Sequence, residues 1–483
     1  SSVGDEWNAG EAITVTLTDE DQNLNTRADE DLDLNSTTIT RVPALTLGSP
    51  LSVTDEATVD GVTITDSDSN TTGNNVDVYS KIARVGATTA DTTLTINTKI
   101  TTSDLNTLID AGGSALINYD IRSFASGTTV SSATVTDSLS GNVLGTFTTD
   151  GAQKLVAFTQ NSANLDTAAA TASTVLVTFT TAGSHNITAE NPFVIDFFTF
   201  SGSVNNAIYR MELEETGDNT GTFEGSIMYT MANNTNDVIA TYTGLVPISN
   251  EIEIFLETNY TTDVGAPRVN YLDLDALDAN TGISDQQQAP THSGVITLDA
   301  ENYKTGDTVT ITVEDMDLNA DGTLIDVYLP KAVDYNGGVP SDPQLFNVIF
   351  DATESSVGNA NLVETGTDTG IFTATFAVPA GKTGNDMDVN YYDFRDSSGN
   401  TNEVGDSAGI RASTGSISLD RTVYPVPWGL ISNFDAISGK SPSTQSVFPV
   451  HSTGVATNLT SDADLISTTA GDLTVTIAIS DDD

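Results

Sequence analysis

The chain contains no cysteine, and only 16 Lys and Arg stand against 67 Asp and Glu in 483 residues. Each scarcity excludes something. Without cysteine there is no disulfide, no thiolate nucleophile and no zinc ribbon. With so few cations no basic surface can displace counterions from phosphates, which excludes nucleic acid as a general partner. The formal charge of −51 also opposes binding to an anionic membrane. No run of 18 apolar residues is present to form a membrane-spanning helix. Glycine-rich phosphate loops are missing too. The chain begins Ser1-Ser2-Val3, with neither Met nor a basic-then-apolar leader, so we expect a processed or excised piece.

What is present is one-sided charge on a foldable composition. Hydrophobic residues make up 38%, too many for a disordered chain, and charged residues 17%, below the globular norm of about 25%. The apolar residues alternate with Thr, as in Ala12-Ile13-Thr14-Val15-Thr16-Leu17, Val309-Thr310-Ile311-Thr312-Val313 and Val475-Thr476-Ile477-Ala478-Ile479. Period-two alternation of β-branched residues predicts strands. Asp60-Gly61, Asp150-Gly151, Asp321-Gly322 and Asn336-Gly337 predict tight turns between them. Helical signal is scarce; the best is Ser103 to Ala111, stopped by Gly112-Gly113. The expectation is an all-β protein.

Four segments recur in order. Trp7, Gly10, Asp19, Asp21 and Asn23 match Tyr303, Gly306, Asp315, Asp317 and Asn319, each pair 296 residues apart. Glu215-Thr216-Gly217-Asp218-Asn219-Thr220-Gly221-Thr222-Phe223 matches Glu364-Thr365-Gly366-Thr367-Asp368-Thr369-Gly370-Ile371-Phe372. Val269-Asn270-Tyr271 matches Val389-Asn390-Tyr391 at an offset of 120, and Ile296-Thr297-Leu298-Asp299 matches Ile417-Ser418-Leu419-Asp420 at 121. A module of about 120 residues is the size of an immunoglobulin-like sandwich. We therefore expect tandem immunoglobulin-like β-sandwich domains, the first carrying a large inserted β-domain. The boundaries are 1–44 plus 201–290 for the first module, 45–200 for the insert and 291–412 for the second module. Residues 413–483 start a further module, cut inside its acidic loop, where Asp481 and Asp483 align with Asp315 and Asp317.

The Asp-x-Asp-x-Asn loops carry the strongest chemical signal. Alternate oxygens on a tight loop can converge on Ca²⁺, which takes six to eight. An acid stands at the twelfth place in both loops, Glu30 and Asp326, so the expected ligands are Asp19, Asp21, Asn23, Glu30, Asp315, Asp317, Asn319 and Asp326. Asp31-Leu32-Asp33-Leu34-Asn35 is a third copy of the pattern. The glycine is misplaced for an EF-hand and the loop follows a strand; a solvated acidic turn is the competing reading. Glu215 with Asp218, or Glu364 with Asp368, could add ligands, although the Glu-Thr-Gly segment reads first as a hairpin turn. Asp273, Asp275, Asp278, Asp393 and Asp396 follow the Val-Asn-Tyr strands and stay open between ligands and solvated acids. Catalysis finds little support. His185, His292 and His451 lie in polar loop sequence and do not cluster, and acids are too common for any carboxylate pair to stand out. Sequons at Asn35, Asn70, Asn186, Asn233, Asn259 and Asn458 are candidate N-glycosylation sites if the chain is secreted.

Several words of the sequence resemble a known family. They are Asn206-Ala207-Ile208-Tyr209-Arg210-Met211-Glu212-Leu213, Leu245-Val246-Pro247-Ile248-Ser249-Asn250, Gln287-Gln288-Ala289-Pro290-Thr291-His292-Ser293-Gly294 and Glu403-Val404-Gly405-Asp406-Ser407-Ala408-Gly409. The last continues as Asp420-Arg421-Thr422-Val423-Tyr424-Pro425-Val426-Pro427-Trp428. They resemble surface-layer (S-layer) proteins of ammonia-oxidising archaea, over about residues 200–430. The resemblance implies tandem immunoglobulin-like domains, an extracellular location at the cell surface, and copies of the chain joined in a two-dimensional lattice. It also implies Ca²⁺ dependence and N-glycans, and it carries over no catalytic residue. We expect a lattice-forming structural protein, not an enzyme, whose acidic pores favour cations such as ammonium. The rival expectations are an adhesin or filament subunit of Ca²⁺-stiffened domains, and an extracellular hydrolase with accessory β-modules.

Overall fold

The computed structural model describes residues 6–36, 38–54, 57–63, 79–85, 92–110, 114–125, 130–149, 151–171, 173–183, 191–201, 204–232, 242–257, 265–274, 281–328, 346–350, 353–354, 360–412, 414–422 and 476–480. Among the described residues strands hold 52% and helices 9%, so the protein is predominantly β, in keeping with the all-β expectation. Two compact units form. The larger comprises Ser1–Glu301, Thr308–Ala377 and Asp386–Gly409; the smaller comprises Asn302–Asp307, Val378–Asn385 and Ile410–Asp483.

The larger unit begins with β1 (Ile13–Thr18) and β2 (Ala44–Leu47). The segment that follows contributes β3 (Thr93–Thr101), α1 (Thr102–Asp110), β4 (Ser114–Asp120), β5 (Val130–Asp137), α2 (Ser162–Ala169), β6 (Thr174–Thr181) and β7 (Asn191–Ser201). The chain then returns through β8 (Val204–Met211), β9 (Thr222–Met231), β10 (Glu251–Leu256), β11 (Arg268–Asp273) and β12 (Thr281–Gln286). In one sheet β9 lies between β1, antiparallel, and β10, parallel. In the other, β4, β7, β8, β2, β11 and β12 follow one another, all antiparallel.

That second sheet has a consequence for the insert. The strand β2 spans the boundary expected at 44/45, and β7 runs across the one expected at 200/201. One ten-stranded sheet therefore passes through module and insert alike. Its far end packs against a seven-stranded sheet that includes β3, β6 and β5 in that order. The core between them holds Tyr119, Phe147, Phe179, Phe197, Leu94 and Ile96. β3 and β6 alternate buried and half-buried residues along their length, as the Thr-rich pattern requires. The expected helix at 103–111 is α1; α2 and the short helix Arg122–Ala125 had no clear periodic signal. At the predicted turn Asp60-Gly61, both residues adopt positive φ, 47° and 84°, the conformation that favours Asp-Gly between paired strands.

The second module repeats the plan. Its strands are β13 (Val295–Leu298), β14 (Thr308–Glu314), β15 (Phe346–Phe350), β16 (Leu362–Glu364), β17 (Ile371–Ala377), β18 (Asp386–Asp393) and β19 (Asn402–Ile410). One sheet runs β13–β14–β17–β16; in the other β18 lies between β15 and β19. Val309, Ile311 and Val313 have no exposed surface, while Thr310 and Thr312 between them are half-exposed. In the smaller unit β20 (Ser416–Leu419) pairs with β21 (Ile477–Ser480), Ile417 opposite Ile479 and Leu419 opposite Ile477. β13 and β14 pair in the same register, Ile296 opposite Val313 and Leu298 opposite Ile311.

Candidate functional site: the repeated acidic loops

Each acidic loop leaves the first long strand of its module and turns through one turn of 3₁₀ helix, Glu20–Gln22 or Met316–Leu318. The first Asp is extended and caps that turn: Asp21 N–H donates to Asp19 Oδ1 at 3.0 Å, and Asp317 N–H to Asp315 Oδ1 at 2.9 Å. The other oxygen of each accepts from a tyrosine hydroxyl of the opposite sheet, Tyr271 on Asp19 and Tyr391 on Asp315. The Asn amide reaches the Glu-Thr-Gly turn, with Asn23 Nδ2 on Asn219 Oδ1 at 2.9 Å and Asn319 Nδ2 on Asp368 Oδ1 at 2.8 Å.

The twelfth-place acid bends back on its own loop. Leu24 N–H donates to Glu30 Oε2, and Ala320 N–H to Asp326 Oδ2. The N–H groups of Glu30 and Asp326 in turn donate to Glu215 Oε2 and Glu364 Oε2. The second oxygens of those glutamates accept two amides of the turn: Thr220 and Gly221 in the first module, Thr369 and Gly370 in the second. Gly221 and Gly370 have φ of +56° and +58°, and their carbonyls accept from Asp19 N–H and Asp315 N–H. The Glu-Thr-Gly segment is thus a turn, as first read, and its glutamate is the latch that holds the acidic loop shut.

The two copies differ in burial. Asp19 is half-buried and Asp21 exposed, whereas Asp315, Asp317 and Asn319 are buried. His292 closes the second loop: its N–H donates to Asp317 Oδ2 and its Nδ1 lies 2.9 Å from Asp317 Oδ1. Burial, and then the charge of Asp317, push Asp315 up to about 8. Burial also raises Asp317, against the contacts with His292 that lower it. Asp393, which accepts from Gly294 N–H, is pushed up to about 6, chiefly by burial. The hydrogen bond to Asp317 raises His292. Sequence reasoning weighed His292 only as a catalytic residue and passed over both tyrosine hydroxyls. The Val-Asn-Tyr repeat was the available signal for the tyrosines; nothing local marked His292.

The second loop also abuts the first module. Gly322 N–H donates to Gly10 O at 2.9 Å and Arg395 Nε to Glu257 O, while on the first module's side Tyr229 Oη donates to Trp7 O and Pro290 O. Trp7 meets Tyr229 edge to face at 4.7 Å. A Cβ on Gly10, where φ is +75°, would lie 2.8 Å from Asn319 Oδ1, so only glycine fits this approach.

Most oxygens of the expected Ca²⁺ ligands are occupied by these hydrogen bonds, and among the described residues no group of three or more His, Cys, Asp and Glu is placed to hold a metal ion. Three acceptors of the expected set are nevertheless buried without a hydrogen-bond partner: Asn23 Oδ1, Glu30 Oε1 and Asn319 Oδ1. Such orphan oxygens fit a cation's needs. They supply part of a ligand shell rather than a complete cage. The third pattern copy is built differently. Leu32 and Leu34 are buried, and Asp31, Asp33 and Asn35 line a pocket of about 360 Å³ with Glu212, Glu214 and Arg122. Burial first, and the neighbouring Asp33 after it, push Glu212 up to about 7. Asn35 is half-buried there, and its N–H donates to Asp33 Oδ1. Asn70, Asn186, Asn233, Asn259, Asn458, His185, His451, Asp275, Asp278, Asp481 and Asp483 lie outside the described residues.

Comparison with protein-family models and with curated proteins gives no match.

Proposed function

We propose that the chain is a structural, self-assembling cell-surface protein of the S-layer type, built from tandem immunoglobulin-like modules and without catalytic activity. The observation that carries the reading is the repetition of one latched loop in two modules, joined through that same loop at a tight junction. A repeated unit with a stiff joint transmits geometry from module to module, as a lattice subunit must. Calcium is part of the proposal. It rests on the three orphan oxygens at the loops and on the buried acids around Asp315, whose mutual repulsion a divalent cation would relieve. The extracellular location, N-glycans and pores that favour ammonium over anions complete the reading, and rest on the resemblance and on the −51 charge.

The test is electron microscopy of the purified chain with Ca²⁺ and with excess chelator. Ordered sheets with Ca²⁺ and none with chelator are expected. Sheets unaffected by chelator would remove calcium from the reading; isolated fibres would favour the adhesin or filament alternative. Permeation through assembled sheets that ignored the sign of the ion would remove the sieve.

A further inference from the structure

The outer face of one sheet sets the second module apart from the first. Strand pairing lines up one residue from each of five strands: Thr297 of β13, Thr312 of β14, Thr373 of β17, Val363 of β16, and Val327 of the two-residue strand Val327–Tyr328. In β14, β17 and β16 the residues on either side of this row are buried, so the row points outward. Val327 and Val363 are 50% and 40% exposed, and Val295, one row along, is 50% exposed. Glu314, between Val295 and Ile371, is the one charge at the outward positions of β13, β14, β16 and β17.

In the first module the repeat counterparts of the row are Thr16, Glu224, Glu214 and Asp31, paired in the same order. All three acids are exposed. One template thus carries three charges at the row in the first module and none in the second. Exposed acids are the norm in a chain of net charge −51, whereas a row of exposed valines gains only when it is covered. Charge points to the occupant. Two copies of this chain repel wherever acids meet, and a face without them is where they can touch. Threonine hydroxyls both donate and accept, so two such faces satisfy each other. Five strands about 4.8 Å apart and three rows about 6.7 Å apart cover about 500 Å² per copy, or about 1,000 Å² in total, the lower bound for a specific contact. The insert's seven-stranded sheet also has a neutral row, Thr134–Thr178–Thr95, but it offers hydroxyls without an apolar centre.

We propose that this face of the second module docks on the same face of a second copy of the chain, across a twofold axis close to Val363. Val327 and Val363 form the apolar centre, and the threonines of the row form the polar rim. The contact is isologous and closes on itself, so it joins copies in pairs, and growth of a lattice uses other surfaces. The inference rests on the self-assembly reading and names one of its contacts.

Sedimentation of the full chain over a range of concentrations makes the test. Val327→Asp with Val363→Asp is expected to raise the dissociation constant at least about a hundredfold, because four acids then face one another across the axis, and to leave thermal unfolding unchanged. Val363→Lys chains mixed with Val363→Asp chains are expected to associate with each other more tightly than either does with itself. The chain has no cysteine, so Val363→Cys introduces a single thiol. That thiol is expected to react with a maleimide in dilute protein, and on oxidation at high concentration to link one copy to another. A thiol that stays unreactive in dilute protein means that the chain covers this face itself, and overturns the inference. Linkage of Val363→Cys to Thr178→Cys in place of linkage to itself does so as well. If the wild-type chain assembles and the Asp variant assembles equally well, the inference falls and the self-assembly reading survives. A wild-type chain that stays monomeric overturns both.

Discussion

Glu364 shows how one carboxylate organises a loop. It is 3% exposed and accepts from three amides, those of Thr369, Gly370 and Asp326. Glu364→Ala leaves these donors buried and unpaired, at about 1–3 kcal/mol for each donor that water cannot reach. Denaturant unfolding should register the loss, and Glu364→Gln, which keeps an acceptor oxygen, should lose less. Gly10 is the second sensitive residue. Gly10→Ala forces a Cβ against Asn319 at positive φ, and we expect destabilisation of about 1–3 kcal/mol. A replacement at Gly306, the repeat partner of Gly10, meets nothing within 4 Å, so Gly306→Ala carries only the backbone strain of its φ of +85° and should lose less. Thermal unfolding of the two variants makes the comparison. The repeat matched these glycines in sequence; only the packing of the two modules separates them.

Among the strands, β1 and β14 are sequence twins in different settings. Both read as Thr-rich alternation, and both pair with the strand that follows the Glu-Thr-Gly turn. β14 has neighbours on both edges, whereas β1 shows only one among the described residues. Amides on the outer edge of β1 should therefore exchange with deuterium faster than those of β14 in dilute protein, which peptide-resolved exchange can measure. The alternation made both strands legible. It could not reveal which edge would be covered, because an edge is a relation between segments far apart in the chain. The insert teaches the same lesson. Its strand content was readable, but the sheet it shares with the first module was not, since strands β4, β7, β8 and β2 are gathered from residues 114 down to 44 and up to 211.

Over the whole molecule the acids set an unusual pH response. A carboxyl whose pKa is higher in the folded than in the unfolded chain holds its proton more tightly when folded. The stability it lends is full below the unfolded value and is lost as pH rises through the folded one. Asp393, Glu212 and Asp315, raised to about 6, 7 and 8, all act in this direction. In chelator the melting temperature should therefore rise as pH is lowered from about 8 to about 5, each unit of pKa shift corresponding to about 1.4 kcal/mol. Calorimetry across that range, with and without Ca²⁺, makes the check. A cation bound near Asp315 would flatten the curve by stabilising the ionised forms.

The sequence by itself determined the strands, the repeat and the places of the acidic loops, because alternation and spacing are local properties that survive without a partner. Tertiary structure alone decided what the acids do. Asp19 and Asp315 cap their own turns, and Glu30 and Asp326 tie the loop to the glutamate latch. Asp315 meets a tyrosine 76 residues away while His292 covers its neighbour Asp317. An Asp written in a sequence is a charge; whether it caps, latches or awaits a cation depends on which donors the folded chain brings to its two oxygens.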